Sequence, residues 1–242
     1  MSEPGTHPDH PVADLRAGLI AGLRASRATE REILAVLDPA DRDAPAADGG
    51  WSARDIQAHL SAWRQRQVDR LAALREEREE PALASTETDE INAIFHAERA
   101  DWPWERVAAD AVATAEALVA EVEAATAATL AVDRVTGAIM GNGPEHTLGH
   151  LAPIAARNGL EARILDLAAT FEAIIDEGGW PPRTAAFARY NLACFHALGG
   201  RVDEARALLR LALPEQEELG TFAPEDDDLI ALRDEIPTLF GG

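Results

Sequence analysis

A chain of 242 residues corresponds to one large domain or two small ones at roughly 150 residues each, so a sizeable core is within reach. Its 22 basic side chains stand against 43 acidic ones for a formal charge of -21, and a chain this acidic repels phosphate backbones and anionic membrane surfaces, which excludes nucleic acid and membrane as partners. Every basic residue is arginine, and the lack of lysine removes P-loop, Schiff-base and lysine general-base chemistry.

Residues 1–11 carry prolines and almost no apolar side chains, which predicts a flexible arm in which His7 and His10 are solvated. The acids and prolines of this arm stand where a signal peptide needs a basic and then an apolar stretch. Together with a single cysteine, Cys194, they predict a cytoplasmic protein without intramolecular disulfides. The most apolar stretch, Ala108 to Val132, is interrupted by Asp110, Glu116, Glu121 and Glu123, so no membrane span is expected.

From Val12 to about Leu37, Leu15, Leu19, Leu23, Ile33 and Leu37 recur at helical spacing, and Pro39 closes this first helix. Asp48-Gly-Gly-Trp51-Ser52 reads as a turn and a cap, with Ser52 at the N-cap, Asp55 at the third helical position and Trp51 stapled onto Ile56. The second helix then runs to about Glu80, before Pro81. A short helix covers Asp89 to Arg99, and Pro103 opens a third long helix that buries Val107, Ala111, Leu118 and Val122.

Gly141-Asn-Gly143-Pro144 reads as a turn that starts a fourth helix through His146, His150 and Ile154, and Pro153 predicts a kink or an early break within it. Beyond Asn158-Gly159 come a helix over 161–177, the breaker Gly178-Gly-Trp-Pro-Pro182, helices over 183–198 and 202–213, and a last one near 227–234. Period-2 alternation is nowhere sustained, so the fold class is all-α.

The chemistry concentrates on histidines. Ile56, His59 and Trp63 share one face of the second helix, which aims His59 at the core. Glu145-His146-Thr-Leu-Gly-His150 places two imidazoles at i and i+4, within reach of one metal ion. Three neutral imidazoles bind a divalent transition metal, zinc or nickel, and leave a position open for water or substrate, which describes a catalytic site better than a structural one. Asp55, four residues before His59, is a candidate to orient that imidazole or to move a proton; its other role is the helix cap. Trp63 is a candidate pocket wall for substrate, whereas Trp102 and Trp104 are expected to fill space. His96 and Glu98 lie on the short middle helix, near the bundle mouth or on a solvated face.

Trp51 to Trp63 and Gly141 to His150 resemble the two signature segments of the DinB-like superfamily, in particular its ClbS/DfsB branch, and the resemblance covers residues 13–158. It implies a four-helix bundle over 12–158 and a metal held by one histidine of the second helix and two of the fourth, here His59, His146 and His150. It further implies thiol-dependent transferase or isomerase activity, or hydrolytic protection against a reactive genotoxin, with a low-molecular-weight thiol as co-substrate and a small-molecule electrophile as substrate. The chain departs from the branch where tyrosines usually flank the fourth-helix histidines: it has Pro144 and Thr147, and its only tyrosine is Tyr190.

Tyr190 to Leu213 resembles a tetratricopeptide repeat, with Ala193, Ala205, Leu209 and Ala212 at the repeat's spacing, and Phe222 to Asp234 resembles the helix that closes such repeats. One repeat is fewer than the ~3 an independent solenoid needs, so residues 159–242 are expected to lean on the bundle or on the 161–177 helix. The resemblance implies capping, self-association as a homodimer, or capture of a protein partner. Cys194 and His196 read as buried packing residues, and the acidic run from Glu215 to Glu235 as solvated surface.

The leading expectation is therefore a metal-dependent hydrolase or thiol transferase. The alternatives are a non-catalytic binding protein working through the repeat-like region, and a metal-free self-resistance protein.

Overall fold

A computed structural model describes residues 10–46 and 50–239; residues 1–9 of the expected arm, 47–49, which include the first positions of the expected turn, and 240–242 lie outside them. Every regular element among the described residues is helical. Helices α1 (His10–Ala35), α3 (Ala53–Arg75), α5 (Trp104–Ala124) and α8 (His146–Arg157) are the long frame, with short α2 (Pro39–Asp43) and α4 (Thr88–Arg99) between them. Helix α1 packs against α5 and α8, and α3 packs against the same two, which closes a ring around Leu19, Leu60, Leu118 and Leu151. Helix α1 begins at His10, inside the segment expected to be an arm.

Boundaries follow local chemistry. Ser52 and Asp55 form the reciprocal capping box that starts α3. That helix stops at Arg75, five residues before the expected end, because Glu77 turns left-handed at φ 52°. The amide of Arg78 then reaches back to the carbonyl of Ala73, and that of Glu77 to Leu74. This is the Schellman closure, usually marked by a glycine that is missing here.

The stretch before the fourth helix, to which the sequence pattern assigns no element, is helical as well. Helices α6 (Ala127–Leu130) and α7 (Asp133–Met140) bury Leu130, Val135, Ile139 and Met140, and Gly141–Glu145 forms a wide π-helical turn that runs on into α8. Gly141-Asn-Gly-Pro is thus a widened helical turn, and Pro144 sits inside it. Pro153 does not break α8. The carbonyl it deprives of a partner belongs to Gly149, and both residues are exposed, so that carbonyl is open to solvent rather than buried unpaired.

The C-terminal part follows as α9 (Glu161–Asp176), α10 (Pro182–Leu198), α11 (Val202–Ala212), α12 (Glu217–Phe222), a 3-10 stretch over Asp227–Leu232, and α13 (Ile236–Leu239). Helices α10 and α11 pack as closely as α3 and α5 do, and Ala193, Ala205, Leu209 and Ala212 are fully buried there. The hydrophobic core is continuous from Leu15 to Ile236 across residue 158. Helix α9 can lie close to α1 because α1 carries glycines: a Cβ at Gly18 would meet Ile174 of α9 at 3.1 Å, and one at Gly22 would meet Phe171 of α9 at 3.5 Å. No helix among the described residues is long and apolar enough to cross a membrane.

Candidate metal centre

Two helix starts set the site. The capping box fixes the register of α3, so His59 falls on its second turn and points inward, buried. His146 is the first residue of α8, delivered directly by the π-helical turn. That turn presses on α1 so closely that a Cβ at Gly143 would sit 2.6 Å from Leu23. Wide turns of this kind displace the following residues from regular helical phase and recur at functional sites.

His59, His146 and His150 come together as the spacing predicts. Their ligand nitrogens all lie within 4.8 Å of one another, and His59 Nε2 stands 2.9 Å from His146 Nε2. The ring centroids are 4.6 Å to 4.7 Å apart and the rings meet edge to face. Nitrogens sharing a tetrahedral ion at ~2.0–2.1 Å are separated by roughly 3.3 Å, so small side-chain adjustments would seat one. The donor set, three imidazoles, suits zinc or nickel.

Electrostatics keeps these rings in the ligand form. Burial pushes His59 down to about 3, with His150 adding to the effect, and pushes His146 down to about 2, with His150, His59 and Arg64 contributing in turn. Burial lowers His150 as well. All three are neutral at pH 7, with free ring lone pairs.

The surroundings are aromatic. Trp51 lies 4.8 Å from His59 and stacks on His96 at 5.5 Å. Trp63 meets His59 and His146 edge-on at 6.5 Å and 6.2 Å, and its Nε1 donates to Asn92 Oδ1 at 3.0 Å, which ties α4 over the site. The Nδ1 atoms of His59 and His146 are buried without a hydrogen-bond partner. Ring orientation therefore comes from packing, where metal-binding histidines usually have a carbonyl or carboxylate behind them.

Asp55 makes no hydrogen bond to His59. Its carboxylate accepts from the amide and hydroxyl of Ser52 at 3.2 Å and 2.6 Å, pairs with Arg54 at 3.2 Å, and stands 3.6 Å from His96 Nε2. Trp102 and Trp104 lie away from the triad under arginines, Arg106 over Trp102 at 3.8 Å and Arg42 over Trp104 at 4.8 Å.

Beside the triad lies a buried ionic network that hydrophobic patterning passes over. Glu30 of α1, fully buried, accepts from both terminal nitrogens of Arg64, from Arg27 at 2.9 Å and from Gln57 at 3.4 Å. The Thr147 hydroxyl lies 3.0 Å from Glu30 and accepts from Arg64 at 3.3 Å. Burial, together with Arg27, lowers Arg64 to about 9, still charged at neutral pH. The network joins α1, α3 and α8, and it includes the neighbour of His146.

On the other flank of α8, Glu145 turns toward α10, where Asn191 Nδ2 donates to it at 2.6 Å. Burial pushes its carboxyl up to about 7 against the opposing effect of that bond. Farther along α10, Asp226 Oδ2 accepts from the Tyr190 hydroxyl at 2.6 Å, and the Cys194 thiol lies 3.8 Å from the same oxygen. Burial and the Asp226 charge hold both groups well above their ordinary values, so neither is a nucleophile. His196 is buried, with Nε2 2.9 Å from Glu172 and Nδ1 accepting from Arg201 at 3.0 Å.

Comparison with protein-family models, with curated proteins and with solved structures gives no match.

Proposed function

We propose that this chain is a divalent-metal-dependent small-molecule enzyme of the DinB-like kind, with its bundle over residues 12–158 and a tetratricopeptide-like region over 159–242 that caps it. The observation that carries the reading is the convergence of three neutral imidazoles, from two helices 87 residues apart in sequence, with ligand atoms within 4.8 Å of one another. Support for the family reading comes from the two signature segments, which supply all three histidines.

His59, His146 and His150 would hold the ion. When bound, a zinc or nickel ion supplies Lewis acidity that lowers the pKa of a water or low-molecular-weight thiol brought to it. Trp51 and Trp63 exclude bulk solvent from the imidazoles and offer apolar surface to an electrophilic substrate. His96 stands at the rim, with Nε2 3.6 Å from Asp55 and its ring stacked on Trp51. A hydrolase or a thiol transferase fits this arrangement.

The test is elemental analysis of tag-free protein beside His59→Ala and His150→Ala. About one equivalent of zinc or nickel, lost in both variants while far-UV circular dichroism is unchanged, is the expected result. Metal retained in either variant, or no uptake after reconstitution, overturns the reading.

A further inference from the structure

A groove of about 820 Å³ runs between α8 and α10, with the segment 222–228 as its third wall. It lies on the side of α8 that carries Glu145, Gly149 and Ala152, and His146 is the triad residue that also borders it. The lining is mainly apolar, from Leu148, Ala152, Leu192 and Phe195. Its rim is unusual for a water-exposed edge: Leu198 and Phe222 are 68% and 58% exposed, two of the three most exposed large apolar side chains among the described residues. A patch of this kind beside a concavity marks a binding surface.

The charges inside the groove are one-sided. Its one arginine, Arg201, is committed to Glu161 at 3.3 Å, to His196 and to backbone carbonyls. The carboxylates of Glu145, Asp226 and Asp228 form no ion pair among the described residues; the nearby Arg233 donates to the Asp226 backbone carbonyl at 3.4 Å and pairs with Asp227 instead. Glu145 is met by the Asn191 amide, and Asp226 by Tyr190, Cys194 and the Asp228 amide. Carboxylates facing a partly desolvated apolar groove without a counter-charge are the complement of a cation that carries apolar bulk.

We infer that this groove binds a small organic cation with an apolar body, its ammonium drawn by the carboxylates of Glu145, Asp226 and Asp228 that line the groove and its body laid along Phe195, Leu198 and Phe222. The inference goes beyond the metal reading and stands on a different side of α8, so its test uses metal-stripped, full-length protein.

The probe is dansylcadaverine, a fluorophore on a five-carbon primary amine, titrated in parallel with its N-acetylated, uncharged form. The amine is expected to saturate one site with blue-shifted emission and to bind at least about tenfold more tightly than the acetylated form. The double variant Glu145→Gln/Asp228→Asn keeps the Asn191 contact and is expected to weaken the amine at least about tenfold. Leu198→Ser, at an exposed position that cannot unfold the core, is expected to weaken both probes by a similar factor. Equal binding of the two probes overturns the inference, as does a double variant that binds like the parent, or no saturation up to about 1 mM.

Discussion

Two buried polar clusters share α3 and α8, and they are built on opposite plans. In the Glu30–Arg64 cluster every buried charge meets an opposite charge or a hydroxyl, and the hydrogen bonds tie three helices together. In the histidine cluster burial has removed the charge altogether, and two ring nitrogens lack any partner. A saturated network has no capacity left for a ligand and serves the fold; an unsaturated one tolerates a local cost and retains lone pairs for something else. The comparison therefore separates a cluster that is saturated within the fold from one that could hold a metal ion, although the two are neighbours on the same helices.

The largest effect expected from breaking this comparison is at Glu30. Glu30→Ala would leave the Arg64 and Arg27 guanidinium groups in the interior without their carboxylate, a loss of about 3–5 kcal/mol measurable by urea denaturation. Glu30→Gln should fall between this variant and the parent. If Glu30→Ala costs under ~1 kcal/mol, the network is not the tie between α1, α3 and α8 described above.

Acid should act on the other cluster, and the sign follows from the shifts. His59 and His146 are depressed from 6.5 to about 3 and about 2 in the folded protein, so the unfolded chain binds protons that the folded one refuses. Their contribution is fully present above pH 6.5 and is lost as the pH falls toward those folded values. For metal-stripped protein the buried His59 alone would account for at most about 2 kcal/mol between pH 6.5 and 5. A His59→Leu variant should show a correspondingly shallower stability profile over that range. Identical profiles for the two proteins would mean that His59 is hydrated and titrates normally.

How much of this was legible in the sequence varies with the physics involved. The triad was readable because its members lie at helical spacings of three and four from apolar or cap residues, and the cap at Ser52 has a local signature that also fixes the register of α3. The early stop of α3 was not readable, since Glu77 takes a left-handed conformation that sequence normally signals with glycine. Helices α6 and α7 and the π-helical turn were hidden behind Gly141-Asn-Gly-Pro, whose turn propensity was overridden by packing on Leu23 and on Gly22 of α1. Glu30 and Arg64 look like ordinary charged positions on amphipathic helices; only the tertiary arrangement shows that they face each other across the core. Asp55 satisfied two sequence patterns, and its carboxylate is spent on Ser52, Arg54 and the edge of His96.

A smaller effect is expected at His146 itself. His146→Leu exchanges a neutral imidazole for an apolar side chain of comparable size and removes a partnerless Nδ1, so metal-stripped protein should change by less than ~1.5 kcal/mol. The same protein should lose high-affinity metal, read by competition with a chelating dye. A variant destabilised as much as Glu30→Ala would erase the distinction between the clusters.

The smallest and most discriminating change is Thr147→Val, since Thr147 belongs to one cluster by its side chain and to the other by its place beside His146. Its hydroxyl touches Glu30, Arg64 and the Gly143 carbonyl. Removing it takes one bond from Glu30, which keeps both arginines and Gln57, so the expected loss is about 1 kcal/mol. If the ionic network only holds the helices together, metal affinity should stay within about twofold of the parent once the protein is folded. If the network instead sets the rotation of α8, affinity should fall about tenfold at unchanged helicity, because His146 would swing away from His59 with the helix that carries it. Stability and metal affinity measured on the same sample separate these two outcomes, and only the second would make the charged network part of the site's geometry.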